Sequence, residues 1–189
     1  MKAFNGYKAE RQIAREQLPV GAYVAKIMKA EELEYDWGKV LMFSFDIIEG
    51  EHKDFFKDDY NAQQHEDKKW RGTYRLNLPK DDGSEKDGWT KNTFNGAMYA
   101  IEQSNPGYHW DWNEAELKGK LVGLNYREFD WEMETRAGTS TECGRFETID
   151  DVRSGKCKEL KKREPKNKSK PATATTSFAE IDDGESLPF

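Results

Sequence analysis

The chain has 189 residues, of which 35% are hydrophobic and 35% are charged, and its formal net charge is -6. This length provides one domain, or one domain with a tail, and the 6 Trp, 8 Tyr and 10 Phe residues exclude a wholly disordered chain. No apolar run approaches the length of a membrane-spanning helix, and residues 1–10 lack the apolar segment of a secretory signal. Cys143 and Cys157 lack zinc-ligand spacing. We therefore expect a soluble cytosolic protein without a metal or another cofactor.

Charge is distributed unevenly along the chain. Residues 158–176 contain seven Lys/Arg and two Glu, whereas residues 177–189 contain four acidic residues and no basic ones. The remainder, 1–157, carries a net charge of -7. Because residues 158–180 have almost no large apolar side chains, they cannot bury enough surface to offset chain entropy. We therefore predict a folded domain over 1–157, a flexible, disordered basic linker over 158–180 and an acidic tip over 181–189.

Three strands are predicted in the first half of the domain, the first from its content of Val, Ile, Tyr and Ala and the other two from alternating apolar and polar residues. They cover residues 20–33, 39–49 and 69–78, and the short link 34–38 ends in Gly, which favours a hairpin. One face of the second strand carries Leu41, Phe43, Phe45 and Ile47. One face of the third strand carries Trp70, Tyr74, Leu76 and Leu78, and the other carries Arg71, Thr73, Arg75 and Asn77.

One helix and two strands complete the predicted domain. Helical spacing predicts a helix over 90–104, with an apolar face of Phe94, Ala97, Met98 and Ile101. Strands are predicted over 120–131 and 144–149. The fold is therefore mainly β, and its order resembles the five-stranded OB-fold barrel with one helix between strands 3 and 4. Residues 50–68 form an insertion, which is anchored by Phe55, Phe56 and Tyr60.

Enzyme signatures are missing from the sequence. It contains no phosphate-binding GxxxxGK[ST] loop, no GxSxG and no HExxH. His52, His65 and His109 lie in separate polar stretches, and the acidic pairs lie among many other acids, which is typical of a solvated surface. We therefore predict that the protein is not an enzyme.

Aromatic and basic side chains indicate a nucleic-acid surface. Tyr35 and Trp37 lie at the turn of the first hairpin, where exposed rings can stack on unpaired bases; alternatively, Trp37 folds back onto the sheet as a satellite core. Arg71 and Arg75 form a basic stripe that can follow phosphates, although the same pattern fits an ordinary solvated face. The predicted DNA-binding set is Tyr35, Trp37, Lys69, Trp70, Arg71, Tyr74, Arg75 and Arg127. Within it, Trp70 and Tyr74 flank the stripe and also fit a core role.

The acidic tip has the features of a portable ligand for another protein. Acidic residues can steer it to a basic patch, Pro188 limits its conformations, and Phe189 can fill an apolar pocket beside its carboxylate. The predicted partner-binding set is Asp182, Asp183, Glu185, Leu187, Pro188 and Phe189. The alternative is a solubilising tail without a specific partner.

This tip resembles that of bacterial single-stranded DNA-binding proteins, with Leu187 where that family has Ile. Residues 16–160, notably Leu18-Pro-Val-Gly-Ala-Tyr and Asp151-Val-Arg-Ser-Gly-Lys, look similar to a phage-encoded family usually labelled single-stranded DNA-binding. The resemblance implies non-specific coating of single-stranded DNA in the cytoplasm of a bacterial host during phage replication and recombination. It also implies that the tip recruits replication and recombination proteins. A homo-oligomer is compatible with the sequence.

A different class of function also fits the composition. The net charge of -7 over residues 1–157 favours a DNA mimic that binds and inhibits a host nuclease or repair enzyme. A DNA-binding domain with this charge needs a local basic surface.

Overall fold

The structure, a computed structural model, describes residues 16–64, 66–133 and 135–164. The strands in this part of the chain are β1 (Gly21–Tyr35), β2 (Gly38–Ile47), β3 (Thr73–Asn77), β4 (Leu121–Met133) and β5 (Arg136–Glu147). The helices are α1 (Phe55–Ala62), α2 (Glu85–Ser104) and α3 (Ile149–Arg153), with a 3₁₀ turn over Glu114–Leu117. None of the described helices is long and apolar enough to cross a membrane.

The five strands form one antiparallel sheet in the order β3-β2-β1-β4-β5. The predicted hairpin between β1 and β2 is confirmed, with Tyr35 paired to Gly38. β3 has only five residues and leaves a groove between itself and β5, so the described sheet is not closed as the predicted barrel. The rings of Tyr74 and Phe146 contact across this opening, with centroids 4.6 Å apart.

The core lies between the sheet and α2. The apolar face predicted for β2 is buried at all four positions, and so are the four apolar positions predicted for the helix. The helix begins five residues earlier than predicted, because Ser84 Oγ accepts a hydrogen bond from the Asp87 N–H at 3.1 Å and caps its N-terminus. On the opposite face of β2, Val40 and Asp46 are buried as well.

Two segments differ from the predicted element boundaries. The prediction that the last strand covers 144–149 is wrong about where the strand begins. β5 begins at Arg136 and pairs with β4 along a long hairpin. β3 is shorter than predicted, since pairing with β2 begins only at Thr73. The predicted insertion 50–68 contains α1. Two of its three predicted anchors, Phe55 and Phe56, pack against the core, while Tyr60 contacts only the ring of Trp70 among the described aromatic residues, with centroids 5.9 Å apart. Phe56 is buried edge-on against Phe45, with ring centroids 5.8 Å apart.

A side chain of β2 caps the N-terminus of α1. The local cap residue, Asp54, has a left-handed φ of 60° and makes no capping hydrogen bond through its side chain. Instead, the Asp46 carboxylate accepts hydrogen bonds from the backbone N–H groups of Ile47, Phe56 and Lys57 at 2.9, 3.0 and 3.2 Å. Burial raises the pKa of Asp46 above its ordinary value. This contact fixes α1 to the sheet.

The beginning of the predicted linker packs against β4. The Arg163 N–H donates to the Glu128 carbonyl at 2.9 Å, and the Asp130 N–H donates to the Arg163 carbonyl at 3.0 Å. β1 pairs with β4 only as far as Tyr126, and these bonds occupy the same edge of β4 beyond that residue. The prediction of a disordered linker is therefore wrong for residues 158–164. The rest of the linker and the predicted partner-binding tip lie outside the described residues.

Candidate nucleic-acid groove

A groove of about 960 Å³ lies between β3 and the β4–β5 hairpin, and we call it the β3–β5 groove. Its basic lining residues are Arg71, Arg75, Lys86, Arg127 and Arg163. Glu142 is the one acidic residue among the described residues that line it. The groove is therefore locally cationic in a chain whose formal net charge is -6.

Alternation along and just before β3 places its polar side chains in the groove. Arg71, Thr73, Arg75 and Asn77 all line it, as the shared face in the sequence predicts. On the opposite face, Leu76 is buried in the core. Tyr74 also reaches the groove, although its ring packs against Phe146, and burial raises the pKa of its phenol. This hydroxyl therefore stays protonated at neutral pH.

Ion pairs divide the groove cations into two groups. Arg71 is paired with Asp59, with Nη1 3.0 Å from Oδ1. Arg127 and Arg163 share Glu142, with shortest N–O distances of 3.1 and 2.6 Å. The other two, Arg75 and Lys86, make no ion pair with any residue in the described ranges. Within the described part of the chain, these two therefore carry positive charge that no ion pair neutralises.

The turn of the first hairpin presents a stacked aromatic pair at one end of the groove. The rings of Tyr35 and Trp37 have centroids 5.3 Å apart and lie within 8° of parallel. Tyr35 is 38% exposed and Trp37 is 52% exposed. The Arg75 guanidinium lies 5.7 Å from the centroid of the Tyr35 ring. Trp37 therefore does not fold back into a satellite core but lines the groove as a half-exposed ring.

Three residues of the predicted set, Tyr35, Lys69 and Trp70, do not line the groove. Tyr35 instead contacts two residues that do, Trp37 and Arg75. The backbone N–H and carbonyl of Lys69 are both held by the Gln63 side chain, and its own side chain is exposed outside the groove. Trp70 is half-buried, and its Nε1 lies within hydrogen-bond distance of the Phe45 and Gly72 carbonyls. The core role is therefore the one that the structure gives to Trp70.

Sequence reasoning missed two of the groove cations. Lys86 lies in the first turn of α2, which the predicted helix leaves out. The capping pair of Ser84 and Asp87 is the signal that could have extended the helix. Arg163 lies in a segment with almost no apolar residues, and no sequence signal predicts its contact with Glu142.

Metal binding and thiol chemistry have little support in this part of the chain. Over the described ranges, no three His, Cys, Asp or Glu side chains group closely enough to hold a metal ion. Cys143 is a buried free thiol, and burial raises its pKa, which disfavours the reactive thiolate.

No protein-family model matches the chain, and no curated protein matches it.

Proposed function

We propose that the protein is a non-enzymatic single-stranded DNA-binding protein of phage replication and recombination that holds the strand in the β3–β5 groove. One observation carries the proposal. An acidic chain gathers five basic side chains along one groove and places an exposed, stacked pair of aromatic rings at its end. Cations for phosphates and flat rings for bases are the two features that single-strand binders combine.

The strand order supports an OB-like architecture. OB-folds are partly open five-stranded barrels that bind oligonucleotides on the face of strands 2 and 3 and between the loops that join strands 1–2 and 4–5. Here Met42 of β2, the polar face of β3 and Trp37 of the β1–β2 turn line one groove. The groove thus occupies the position that this architecture uses for its ligand.

The chemistry of the groove favours unpaired over paired DNA. Ring stacking needs a base face that no neighbouring base covers, and duplex DNA offers such faces only at its ends. Trp37 presents a half-exposed ring for this contact, and Arg75 and Lys86 are available for phosphates. Ring faces and phosphates carry little sequence information, so we expect binding without sequence preference.

The acidic tip, residues 181–189, supplies the second half of the proposal. Its three acidic residues and terminal Phe189 form a ligand that a basic pocket on another protein can capture. The groove holds DNA, and the tip recruits replication and recombination proteins. We expect deletion of residues 181–189 to abolish partner pull-down while DNA affinity is unchanged or raised.

A binding titration tests the function. We expect labelled oligo-dT to bind more tightly than a duplex of equal length, with affinity that falls as salt rises. Quenching of Trp fluorescence on adding oligo-dT would support stacking. Equal affinity for the two forms would reject the proposal. Absence of binding with unchanged fluorescence would favour the DNA mimic, which the charge of residues 1–157 supports.

A further inference from the structure

Two smaller clefts continue the β3–β5 groove. The first, the α2 cleft, has about 210 Å³ and lies between β3 and the first turns of α2. The second, the hairpin cleft, has about 260 Å³ and lies beside the β1–β2 turn. Both share Asn77 and Lys86 with the groove. Each cleft therefore adjoins the groove at these two residues, where a strand leaving the groove past β3 can continue.

The charges of the two clefts favour the α2 cleft. Arg75 and Lys86 line it, and its described lining residues include no carboxylate. The hairpin cleft is lined by Asp82 and Asp87 in addition to its lysines. Because phosphates are repelled by carboxylates and attracted by unneutralised cations, the path of a nucleic-acid strand toward α2 is preferred.

An exposed tryptophan lies on this path. Trp89 lines the α2 cleft and is 73% exposed, so its ring contributes little to the core. Lys86 precedes it by three residues and Thr93 follows it by four, and both lie on the same side of the helix and line the same cleft. Lys86 thus supplies a cation in the same cleft as the indole, while the Thr93 hydroxyl donates to the Trp89 carbonyl at 3.0 Å.

We propose that Trp89 is a second stacking position for the same single strand, which leaves the groove past Arg75 and crosses Lys86 onto α2. This inference rests on the proposed function, because it extends the ligand path of that site. The strand then contacts rings at two separated places, Trp37 at the β1–β2 turn and Trp89 on the helix. Tight binding therefore requires an oligonucleotide that spans both rings.

Oligonucleotide length separates the two stacking positions. The experiment measures the affinity of the full chain and of Trp89→Ala for oligo-dT ladders from about 4 to about 16 nucleotides. We expect equal affinities for the shortest strands that bind. For the longest strands we expect the variant to lose about five- to hundredfold in affinity, the range that one stacked base contributes.

Two control variants make this result specific. Trp89→Phe keeps a stacking ring and should restore most of the length-dependent affinity. Tyr99→Ala removes an exposed ring, 60% exposed, from the same helix but outside the cleft, and it should bind all lengths like the full chain. If Trp89→Ala binds oligo-dT of every length like the full chain, the inference about Trp89 is overturned while the proposed function stands. An equal loss at every length would place Trp89 within the minimal site and overturn the extended path. Failure of the full chain to bind any oligo-dT would overturn the proposed function and the inference together.

Discussion

Trp37 and Tyr35 offer different surfaces to a ligand, although they stack on each other. The Arg75 guanidinium lies over the ring of Tyr35, while Trp37 keeps the larger exposed fraction and lines the groove. We therefore expect Trp37 to contact the base and Tyr35 to support it.

Replacing Trp37 with Ala should weaken oligo-dT binding about five- to hundredfold, because one stacked base contributes roughly 1–3 kcal/mol. The melting temperature should change little, since the ring is half-exposed. Trp112→Ala is a matched control, because Trp112 is an exposed indole that does not line the groove. A large fall in melting temperature for Trp37→Ala would instead assign the ring to the core.

Arg75 should contribute to binding through its free charge. It lines the groove without a carboxylate partner among the described residues, whereas Arg71 is paired with Asp59. Arg75→Ala should lower oligo-dT affinity and reduce the slope of log affinity against log salt by about 0.7, the value for one phosphate contact on a single strand.

The slope of log affinity against log salt distinguishes the contribution of the Arg75 charge from that of its planar guanidinium. Arg75→Lys should keep the salt slope, because it keeps the charge, but lose affinity, because Lys cannot stack on a ring as a guanidinium does. Arg153→Ala removes an exposed arginine that pairs with Glu49 away from the groove, and it should leave both quantities unchanged. A slope for Arg75→Ala equal to that of the full chain would exclude the phosphate contact.

At the scale of elements, the attachment of α1 depends on Asp46. Its carboxylate accepts hydrogen bonds from three backbone N–H groups in a buried position. Asp46→Ala leaves these donors without an acceptor and should lower the free energy of unfolding by about 2–3 kcal/mol. Asp46→Asn keeps one acceptor oxygen and should cost less. Urea unfolding measures both changes, and a negligible loss for Asp46→Ala would show that water satisfies these donors.

The same carboxyl predicts a pH dependence of stability. Because burial raises its folded pKa above the unfolded value, the folded state binds this proton more tightly. Its contribution to the free energy of unfolding therefore falls as the pH rises from the ordinary pKa through the raised one. The stability of the wild type relative to Asp46→Asn should decrease over this interval, which urea unfolding between about pH 3 and 7 can measure. A difference that increases with pH would contradict the sign.

Elements with a strong apolar period were predictable from the sequence, and the others formed through tertiary contacts. β2 alternates large apolar residues along most of its length and β1 is rich in Val, Ile, Tyr and Ala, so the hairpin was predicted close to its observed bounds. The first half of β5 is small and polar, and only its ladder with β4 makes it a strand. Residues 158–164 have no core-forming pattern, yet their backbone bonds to β4.

The same distinction explains which site residues were found. Arg71 and Arg75 share a strand face, and period 2 alone places them on one surface. Lys86 and Trp89 were missed because the predicted helix began at residue 90, after the turn that carries them. The pairing of Arg163 with Glu142 depends on the path of the chain after the last strand, which local sequence does not encode.

At the scale of the whole molecule, the location of a charged residue should affect DNA affinity more than the formal net charge of the chain does. Glu142→Gln and Glu49→Gln each change the formal net charge by the same amount, but only Glu142 lines the groove. Glu142→Gln should raise oligo-dT affinity at low salt by about two- to fivefold, because Arg127 and Arg163 lose the carboxylate that neutralises them. Glu49→Gln should have no such effect. Equal increases for both variants would mean that overall repulsion, and not the groove, controls binding.

The segment that crosses β4 after the last helix also bears on lateral self-association. Beyond Tyr126, β4 loses its ladder with β1, and the main-chain groups of Glu128 and Asp130 would otherwise offer an open template to another polypeptide. The backbone of Arg163 satisfies these groups from within the same molecule. Natural sheets commonly blunt such edges by covering them, and here the covering residue also contributes a guanidinium to the groove wall. One residue thereby discourages strand-to-strand aggregation and adds to the cationic lining.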